Sequence, residues 1–209
     1  MNKKIVVVGT GQVGKALVNG FAQRDYDVTL SGRNGHFVDG WSEKIGKSSV
    51  VVGTADIVAL AVKGTAAENV VRSLANLLKG KTVIDVTNPI ADAPPQNGVI
   101  KFFTNLDESL MERLQKLAPG AHFVKAFNSV GNGLFFMPDY NGVKATMFIC
   151  GNDEGAKKEV TEILNQIGWE VEDLGKAESA RAIESLCMLW CIPGLLHNRW
   201  SHAFKLLKR

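Results

Sequence analysis

Residues 5–14 read IVVVGTGQVG, an apolar run that leads directly into a glycine-rich loop. The β-branched run at 5–8 is typical of a strand that is buried on both faces of a parallel sheet. Apolar residues then recur at helical spacing over residues 12–23. A strand, a glycine loop and a helix in this order predict the first unit of a Rossmann-type dinucleotide-binding fold.

Each glycine of this loop has its own physical role. Gly9 permits the sharp turn, Gly11 leaves room for a pyrophosphate at the backbone, and Gly14 allows the helix to pack closely on the strand. Free N–H groups at the start of the following helix favour a negative charge there. The predicted phosphate-binding residues are Gly9, Thr10, Gly11, Gln12, Val13 and Gly14.

The residues after the second predicted strand distinguish NADP from NAD. NAD sites usually place Asp or Glu about twenty residues after the glycine loop, where it holds the ribose hydroxyls. Here the slot reads LSGRN, residues 30–34, and contains no carboxylate. Arg33 can pair with a 2′-phosphate and Ser31 can donate a hydrogen bond to it, whereas the alternative is a solvated polar turn. The sequence favours NADP, with Ser31, Arg33 and Asn34 as contacts and Thr10 adding its hydroxyl.

Strands and helices alternate along the rest of the chain. Strands are predicted at 28–30, 48–52, 57–62, 82–86, 123–127, 146–150 and 169–174, and helices at 67–78, 106–117, 156–167 and 178–191. This alternation predicts an α/β fold, a doubly wound and mostly parallel sheet with helices on both faces. We expect an NADP-binding domain at 1–176 and a C-terminal helical extension at 177–209 that packs on the domain or on a dimer partner. The segment 34–56 is short for this fold, so the strand at 48–52 is expected to join the next strand directly.

Ligands of this fold lie across the carboxyl ends of the strands, so residues just after each strand are candidates for the nicotinamide side. Asn88 and Asn128 are expected to orient a carboxamide or a substrate carbonyl, while Val62 and Pro89 offer an apolar wall. The predicted contacts on this side are Val62, Lys63, Asn88, Pro89, Ala126 and Asn128.

The sequence assigns no catalytic residue. Hydride transfer between two rings requires positioning rather than a strong general base. Hydroxyacid and alcohol dehydrogenases need a proton donor, and the commonest relatives with this loop carry a large helical second domain, for which the 35 or so residues after the last predicted strand are too few. Lys63 is the best candidate for a proton donor or a ribose contact, and a solvated strand-end lysine is the alternative. Asn88 and Asn128 are the other weak candidates.

An ordered set of motifs resembles the family of NADP oxidoreductases that depend on coenzyme F-420, a deazaflavin. The motifs are GTGQVG at 9–14, SGRN at 31–34, TNP at 87–89, KAFN at 125–128, CGNDEGAK at 150–157 and ESL at 184–186. The chain is also similar, over roughly residues 3–190, to the cytoplasmic NADPH-binding domain of mammalian ferric reductases of the six-transmembrane metalloreductase group. The resemblance implies that NADP is held through Thr10, Gln12, Val13, Ser31 and Arg33, and that hydride passes directly between stacked nicotinamide and deazaflavin rings. The tail 190–209 is longer than expected of the deazaflavin enzymes, so a flavin or a quinone-like ring stays open as the second redox ligand.

Composition excludes several other classes of protein. A formal net charge of +3 is too small to favour nucleic acid as the partner, and three cysteines suit reduced intracellular thiols. No secretory leader and no apolar run of membrane-spanning length is apparent, so we expect a cytoplasmic protein without stable membrane insertion. The histidines and cysteines show no metal-ligand spacing, and no metal is expected. A homodimer is expected.

Two functional hypotheses therefore follow from the sequence. The first is an NADP(H)-dependent oxidoreductase with a planar redox partner. The second is a catalytically silent NADP(H)-binding or redox-sensing module. Because ring-to-ring hydride transfer needs no general base, the sequence does not separate them.

Overall fold

The computed structural model describes residues 3–32 and 45–209, so the predicted contacts Arg33 and Asn34 lie outside the described residues. The strands are β1 Lys4–Val8, β2 Asp27–Gly32, β3 Ile45–Lys47, β4 Ile57–Leu60, β5 Thr82–Asp85, β6 His122–Lys125, β7 Thr146–Gly151 and β8 Glu170–Asp173. The helices are α1 Gln12–Ala22, α2 Ser48–Val51, α3 Gly64–Leu78, α4 Leu110–Leu117, α5 Glu154–Gln166 and α6 Ala180–His197. Short 3-10 helices lie at Val52–Thr54, Asn132–Leu134 and Ala177–Ser179.

The described strands form one sheet in the order β3-β2-β1-β4-β5-β6-β7-β8. All neighbouring strands run parallel except β6 and β7, which are antiparallel. This confirms the predicted doubly wound, mostly parallel α/β fold. The strand order reverses between β1 and β4, and that reversal creates a crevice at their carboxyl ends.

The core consists of two apolar layers, one on each face of the sheet. Successive side chains of a strand point to opposite faces, so Ile5 and Val7 of β1 join one layer, while Val6 and Val8 join the other. Helices α1 and α5 cover the first layer, and helices α3 and α4 cover the second. Burial on both faces explains why β1 is apolar from Ile5 to Val8 rather than alternating.

The predicted strand at 48–52 is wrong. Residues 48–51 form α2 and Val52 begins a 3-10 helix, whereas the strand next to β2 is β3 at 45–47. The physical reason lies in the topology, since β3 and β4 are parallel and are separated by β2 and β1. Parallel strands need a crossover connection, and α2 with its 3-10 helix supplies a short one.

Two helix boundaries also differ from the sequence prediction. Helix α4 begins at Leu110 rather than near residue 106, because Ser109 and Glu112 form a capping box there. Helix α6 continues to His197 although Pro193 lies inside it, and it ends at Asn198 in the left-handed conformation.

The C-terminal residues pack back on the chain. The indole N–H of Trp190 donates to the carbonyl oxygen of His202 at 2.8 Å, and the N–H of Thr146 donates to the carbonyl oxygen of Phe204 at 2.9 Å. The division into a domain at 1–176 and an extension at 177–209 stays a prediction.

Helix α6 with the 3-10 turn before it, Ala177–His197, is the one helix of the described residues that is long and apolar enough to cross a membrane. Its mean hydropathy is 1.2, and a third of its most apolar window is buried. The same helix carries Glu184, which is 2% exposed and ion-paired with Lys125 of β6. The absence of membrane insertion stays a prediction.

Candidate functional site

The glycine loop joins β1 to α1 in a conformation that depends on its glycines. Gly9 has a φ of +129°, a region that residues with a Cβ rarely adopt. A Cβ on Gly9 would overlap the carbonyl oxygen of Ala61, and a Cβ on Gly14 would overlap the carbonyl oxygen of Gly9. A Cβ on Gly11, in contrast, would meet no described heavy atom within 4 Å. The first and third glycines therefore allow close packing, and the second leaves open space beside the backbone.

Helix α1 presents unpaired donors to this open space. Gly11 is the extended residue before the helix, and no side chain of a described residue caps it. The first N–H groups of a helix have no partner within the helix, so they stay available to a ligand. Thr10, Gly11 and Gln12 are exposed. Free donors at the positive end of the helix dipole form an anion-binding arrangement.

The end of β2 lies beside the loop. A Cβ on Gly32 would lie 3.0 Å from Cγ2 of Thr10, so the two predicted contact regions are adjacent. Ser31 is fully buried, and its hydroxyl accepts a hydrogen bond of 3.1 Å from the hydroxyl of Ser48. Ser48 is a neighbour that sequence reasoning missed, because it placed residues 48–52 in a strand. The predicted contact of Ser31 with a 2′-phosphate stays a prediction.

A cavity of about 360 Å³ extends from the glycine loop along the carboxyl ends of β4 and β5. It brings together the predicted residues Gln12, Val13, Val62, Lys63 and Asn88. The full lining is Gly11, Gln12, Val13, Ala61, Val62, Lys63, Gly64, Val86, Thr87, Asn88 and Ile90. Sequence reasoning did not single out Val86 and Ile90, which flank a predicted strand end and add apolar surface.

Three predicted residues of the nicotinamide side lie behind this cavity rather than in its lining. Pro89 and Ala126 are buried. Asn128 is 3% exposed, and its Nδ2 donates to Oδ1 of Asn88 at 2.7 Å and to the carbonyl oxygen of Thr87 at 2.9 Å. The structure therefore joins Asn128 to Asn88. A direct contact of Pro89, Ala126 or Asn128 with a ligand stays a prediction.

Lys63, the sequence candidate for a proton donor, lies at the rim of the cavity. Its side chain is mostly exposed and forms an ion pair with Asp92. This places its ammonium group beside a carboxylate at the solvent-exposed edge of the cavity.

A buried charge cluster, which consists of Lys125, Asp85 and Glu184, lies beneath the cavity. Nζ of Lys125 is 2.7 Å from Oδ2 of Asp85 and 2.8 Å from Oε1 of Glu184, and all three side chains are at most 2% exposed. Burial opposes the charge on the Lys125 amine, but the two carboxylates outweigh it and raise the pKa of Lys125. Asp85 and Lys125 each end an apolar strand run, which is the signal that would have identified them from the sequence.

The described residues contain no group of three or more His, Cys, Asp or Glu side chains arranged to hold a metal ion. That a metal plays no part here stays a prediction.

A family model described as NADP oxidoreductase coenzyme F420-dependent matches residues 4–89. The F420-dependent NADP reductase of Methanocaldococcus jannaschii is 33% identical over 135 residues, which cover 64% of this chain and 60% of the reductase. The metalloreductase STEAP3 of Rattus norvegicus is 26% identical over 200 residues, which cover 92% of this chain and 39% of that protein. These matches confirm the resemblance that the motifs predicted.

One solved structure agrees over the whole length. It comes from Arthrobacter sp. FB24, its proposed identity is an F420-dependent NADP reductase, and it shares 26% sequence identity with this chain. The TM-score is 0.90, with 99% of this chain and 100% of that chain covered. In contrast, the chain spans 60% of the archaeal reductase and 39% of the rat metalloreductase.

Proposed function

We propose that the chain is an NADP(H)-dependent oxidoreductase that transfers hydride between the nicotinamide ring and a planar redox partner, either the deazaflavin coenzyme F-420 or a flavin-like or quinone-like ring. One observation carries the proposal. The free donors at the start of α1 open into the cavity at the ends of β4 and β5, so one continuous cleft offers an anion site followed by an apolar slot. When it is bound, NADPH supplies the hydride.

The phosphate half of the proposed site consists of residues 9–14 and the end of β2. Its backbone donors hold the pyrophosphate, and the space beside Gly11 admits it. Arg33, Ser31, Asn34 and Thr10 are proposed to contact the 2′-phosphate, because the sequence has no carboxylate in this slot.

The nicotinamide half consists of the cavity residues at the ends of β4 and β5. Its walls are mainly apolar, from Val13, Val62, Val86 and Ile90, and they suit the flat face of a ring. Of the described lining residues, Lys63 alone is charged, and it pairs with Asp92. Such a cavity can hold a ring against an apolar wall, and positioning is what direct hydride transfer requires.

The relatives support this proposal by their names. Both the archaeal relative and the Arthrobacter structure are described as F420-dependent NADP reductases, and the family model carries the same description. We extend their cofactor to this chain because the glycine loop and its neighbours retain the geometry that an anionic dinucleotide needs.

The test separates binding from turnover. The purified protein is mixed with NADPH, binding is followed by nicotinamide fluorescence, and oxidation is followed by absorbance with coenzyme F-420, a flavin and a quinone as acceptors. We expect tight NADPH binding and oxidation above background with at least one acceptor. Binding without turnover across the panel would favour the silent NADP(H)-binding or redox-sensing module, and no binding at all would refute both hypotheses.

We further propose that the protein is a cytoplasmic homodimer. Several leucines at the end of α6 and in the tail are exposed, namely Leu189, Leu195, Leu196 and Leu207. Burial of such surface between two copies would remove it from water. Light scattering coupled to size exclusion measures the mass directly, and a monomer at micromolar concentration would refute the dimer.

A further inference from the structure

We infer that Asn128 and Lys125 are positioning residues for the nicotinamide half, and that helix α6 takes part in the site through Glu184. Asn128 and Lys125 together orient the side chain of Asn88, which would otherwise rotate freely at the cavity wall. This inference rests on the proposed function, because it concerns the same cavity.

Asn88 is the side-chain amide that the nicotinamide half offers to a ligand. It is half-buried and lines the cavity, and its Oδ1 accepts a hydrogen bond of 2.7 Å from Nδ2 of Asn128. Because an amide carries its acceptor and its donors on different atoms, this bond fixes the rotation of the Asn88 amide. It leaves the Nδ2 donors of Asn88 to a carbonyl-type acceptor such as that of a carboxamide.

Asn128 is itself held in one orientation. Its Nδ2 donates to two oxygen acceptors, the carbonyl of Thr87 and Oδ1 of Asn88, so the flipped amide would bring oxygen against oxygen. Its own Oδ1 is buried and has no hydrogen-bond partner among the described residues. Unpaired buried acceptors are rare and cost free energy. Phe127 before it adopts a φ of +65°, an uncommon conformation for a residue with a side chain, and such strain is common at functional sites.

Lys125 also donates a hydrogen bond to the carbonyl oxygen of Thr87. Its ammonium group donates to the carbonyl of Thr87 at 2.9 Å and forms ion pairs with Oδ2 of Asp85 at 2.7 Å and Oε1 of Glu184 at 2.8 Å. Thr87 therefore receives hydrogen bonds from both Lys125 and Asn128. These two hydrogen bonds fix the backbone at Thr87, the residue directly before Asn88.

Glu184 connects this network to two helices. Its carboxylate accepts the N–H groups of Leu110 at 2.9 Å and Met111 at 3.0 Å, so it caps α4 while it pairs with Lys125. A buried ion pair often adds little stability compared with apolar packing of the same volume. The ammonium group of this ion pair also donates to the carbonyl oxygen of Thr87, next to Asn88, and a positioning role explains that arrangement.

The experiment compares two ligands that differ only in the nicotinamide ring, NADPH and 2′-phospho-ADP-ribose. The first variant, Asn128→Leu, removes both donors to Thr87 and Asn88 in a side chain of similar size. The second variant, Lys125→Met with Asp85→Asn, removes the ammonium group and preserves the net charge of the cluster. In the wild type one cation and two carboxylates give a charge of −1, and in the variant Glu184 alone gives −1.

The control variant removes another buried lysine, whose two carboxylate partners are more exposed than those of Lys125. Lys157 of α5 is also buried and pairs with Asp173 at 2.8 Å and Glu154 at 2.9 Å. Neither of its ion pairs involves a residue of the cavity lining. The control variant is Lys157→Met with Asp173→Asn.

We expect Asn128→Leu to weaken NADPH binding about fivefold, the size of one or two neutral hydrogen bonds, with 2′-phospho-ADP-ribose unchanged. The charge-matched double variant should also weaken binding of NADPH relative to binding of 2′-phospho-ADP-ribose. The control variant should change neither affinity. Equal weakening of both ligands, or no change in either, would overturn the inference. If the wild type binds neither ligand, the proposed function fails. If it binds both equally tightly, the nicotinamide ring is not held and the inference alone fails.

Discussion

The phosphate half of the proposed site is made of backbone, whereas the nicotinamide half is held by side chains from three distant parts of the chain. In the first half, Gly9 and Gly14 lie close together although they are five positions apart in the sequence, and no side chain of a described residue caps the start of α1. In the second half, Asn88 depends on Asn128, on Lys125 and, through Lys125, on Glu184. Local geometry is robust to changes elsewhere in the chain, while a distributed network transmits them.

The largest effect on stability is expected in the nicotinamide half. Lys125→Met leaves Asp85 and Glu184 buried without their cation, and breaking a buried ion pair costs about 3–5 kcal/mol. Chemical denaturation measures the free energy of unfolding. A loss below about 1 kcal/mol would show that the cluster is not a charged network, and Lys157→Met serves as the comparison.

Two of the three glycines of the loop, Gly14 and Gly11, should behave differently from each other. Gly14→Ala forces a Cβ against the carbonyl oxygen of Gly9, so we expect a stability loss of about 1–3 kcal/mol and loss of NADPH binding. Gly11→Ala enters open space, so stability should hold while binding falls about tenfold or more because the Cβ occupies the path of the phosphate. Thermal unfolding with and without NADPH separates these results, and a destabilised Gly11→Ala would contradict this account of the loop.

Arg33 tests whether the phosphate half selects NADP. Arg33→Ala should weaken NADP binding at least tenfold and barely change NAD binding, because a charged hydrogen bond contributes about 1.5–3 kcal/mol. Titration calorimetry with both cofactors measures the two affinities. Equal weakening of both would refute the assignment of Arg33 to the 2′-phosphate.

The smallest expected effect concerns the ion pair between Glu112 of α4 and Arg181 of α6, the helix that carries Glu184. Burial opposes the charge on Glu112, but hydrogen bonds from Arg181 and Ser109 outweigh it and lower the pKa of Glu112 to about 2. A carboxyl with a lowered pKa stabilises the fold above its ordinary pKa of 4.5, and this contribution disappears as the pH falls towards 2. The difference in unfolding free energy between the wild type and Glu112→Gln should therefore shrink between pH 5 and about pH 2.5. A difference that stays constant would contradict the pairing.

The phosphate half could be predicted from the sequence because its interactions are local. The glycine spacing, the apolar strand before it and the periodic helix after it specify one turn. The crossover between β3 and β4 was mispredicted as a strand, because Val50, Val51 and Val52 favour strands locally, while the position of β3 beyond β2 demands a connection.

The nicotinamide half could be predicted only as a set of strand-end residues. The sequence predicted both Asn88 and Asn128 as site residues, but it did not predict the hydrogen bond between their side chains. Glu184 lies 74 residues from Leu110, whose N–H group it accepts, so periodicity cannot reveal the pair. The charged residues Asp85 and Lys125 at the ends of apolar strands were the available clue.

The position of Glu184 late in the chain has a consequence for synthesis. Synthesis runs from the N-terminus, so the glycine loop and its strands leave the ribosome long before α6 does. A nascent chain stopped before residue 184 would hold the elements of the phosphate half, while Lys125 would lack one of its two carboxylates. We therefore expect the buried charge cluster to be complete only once the last helix has docked.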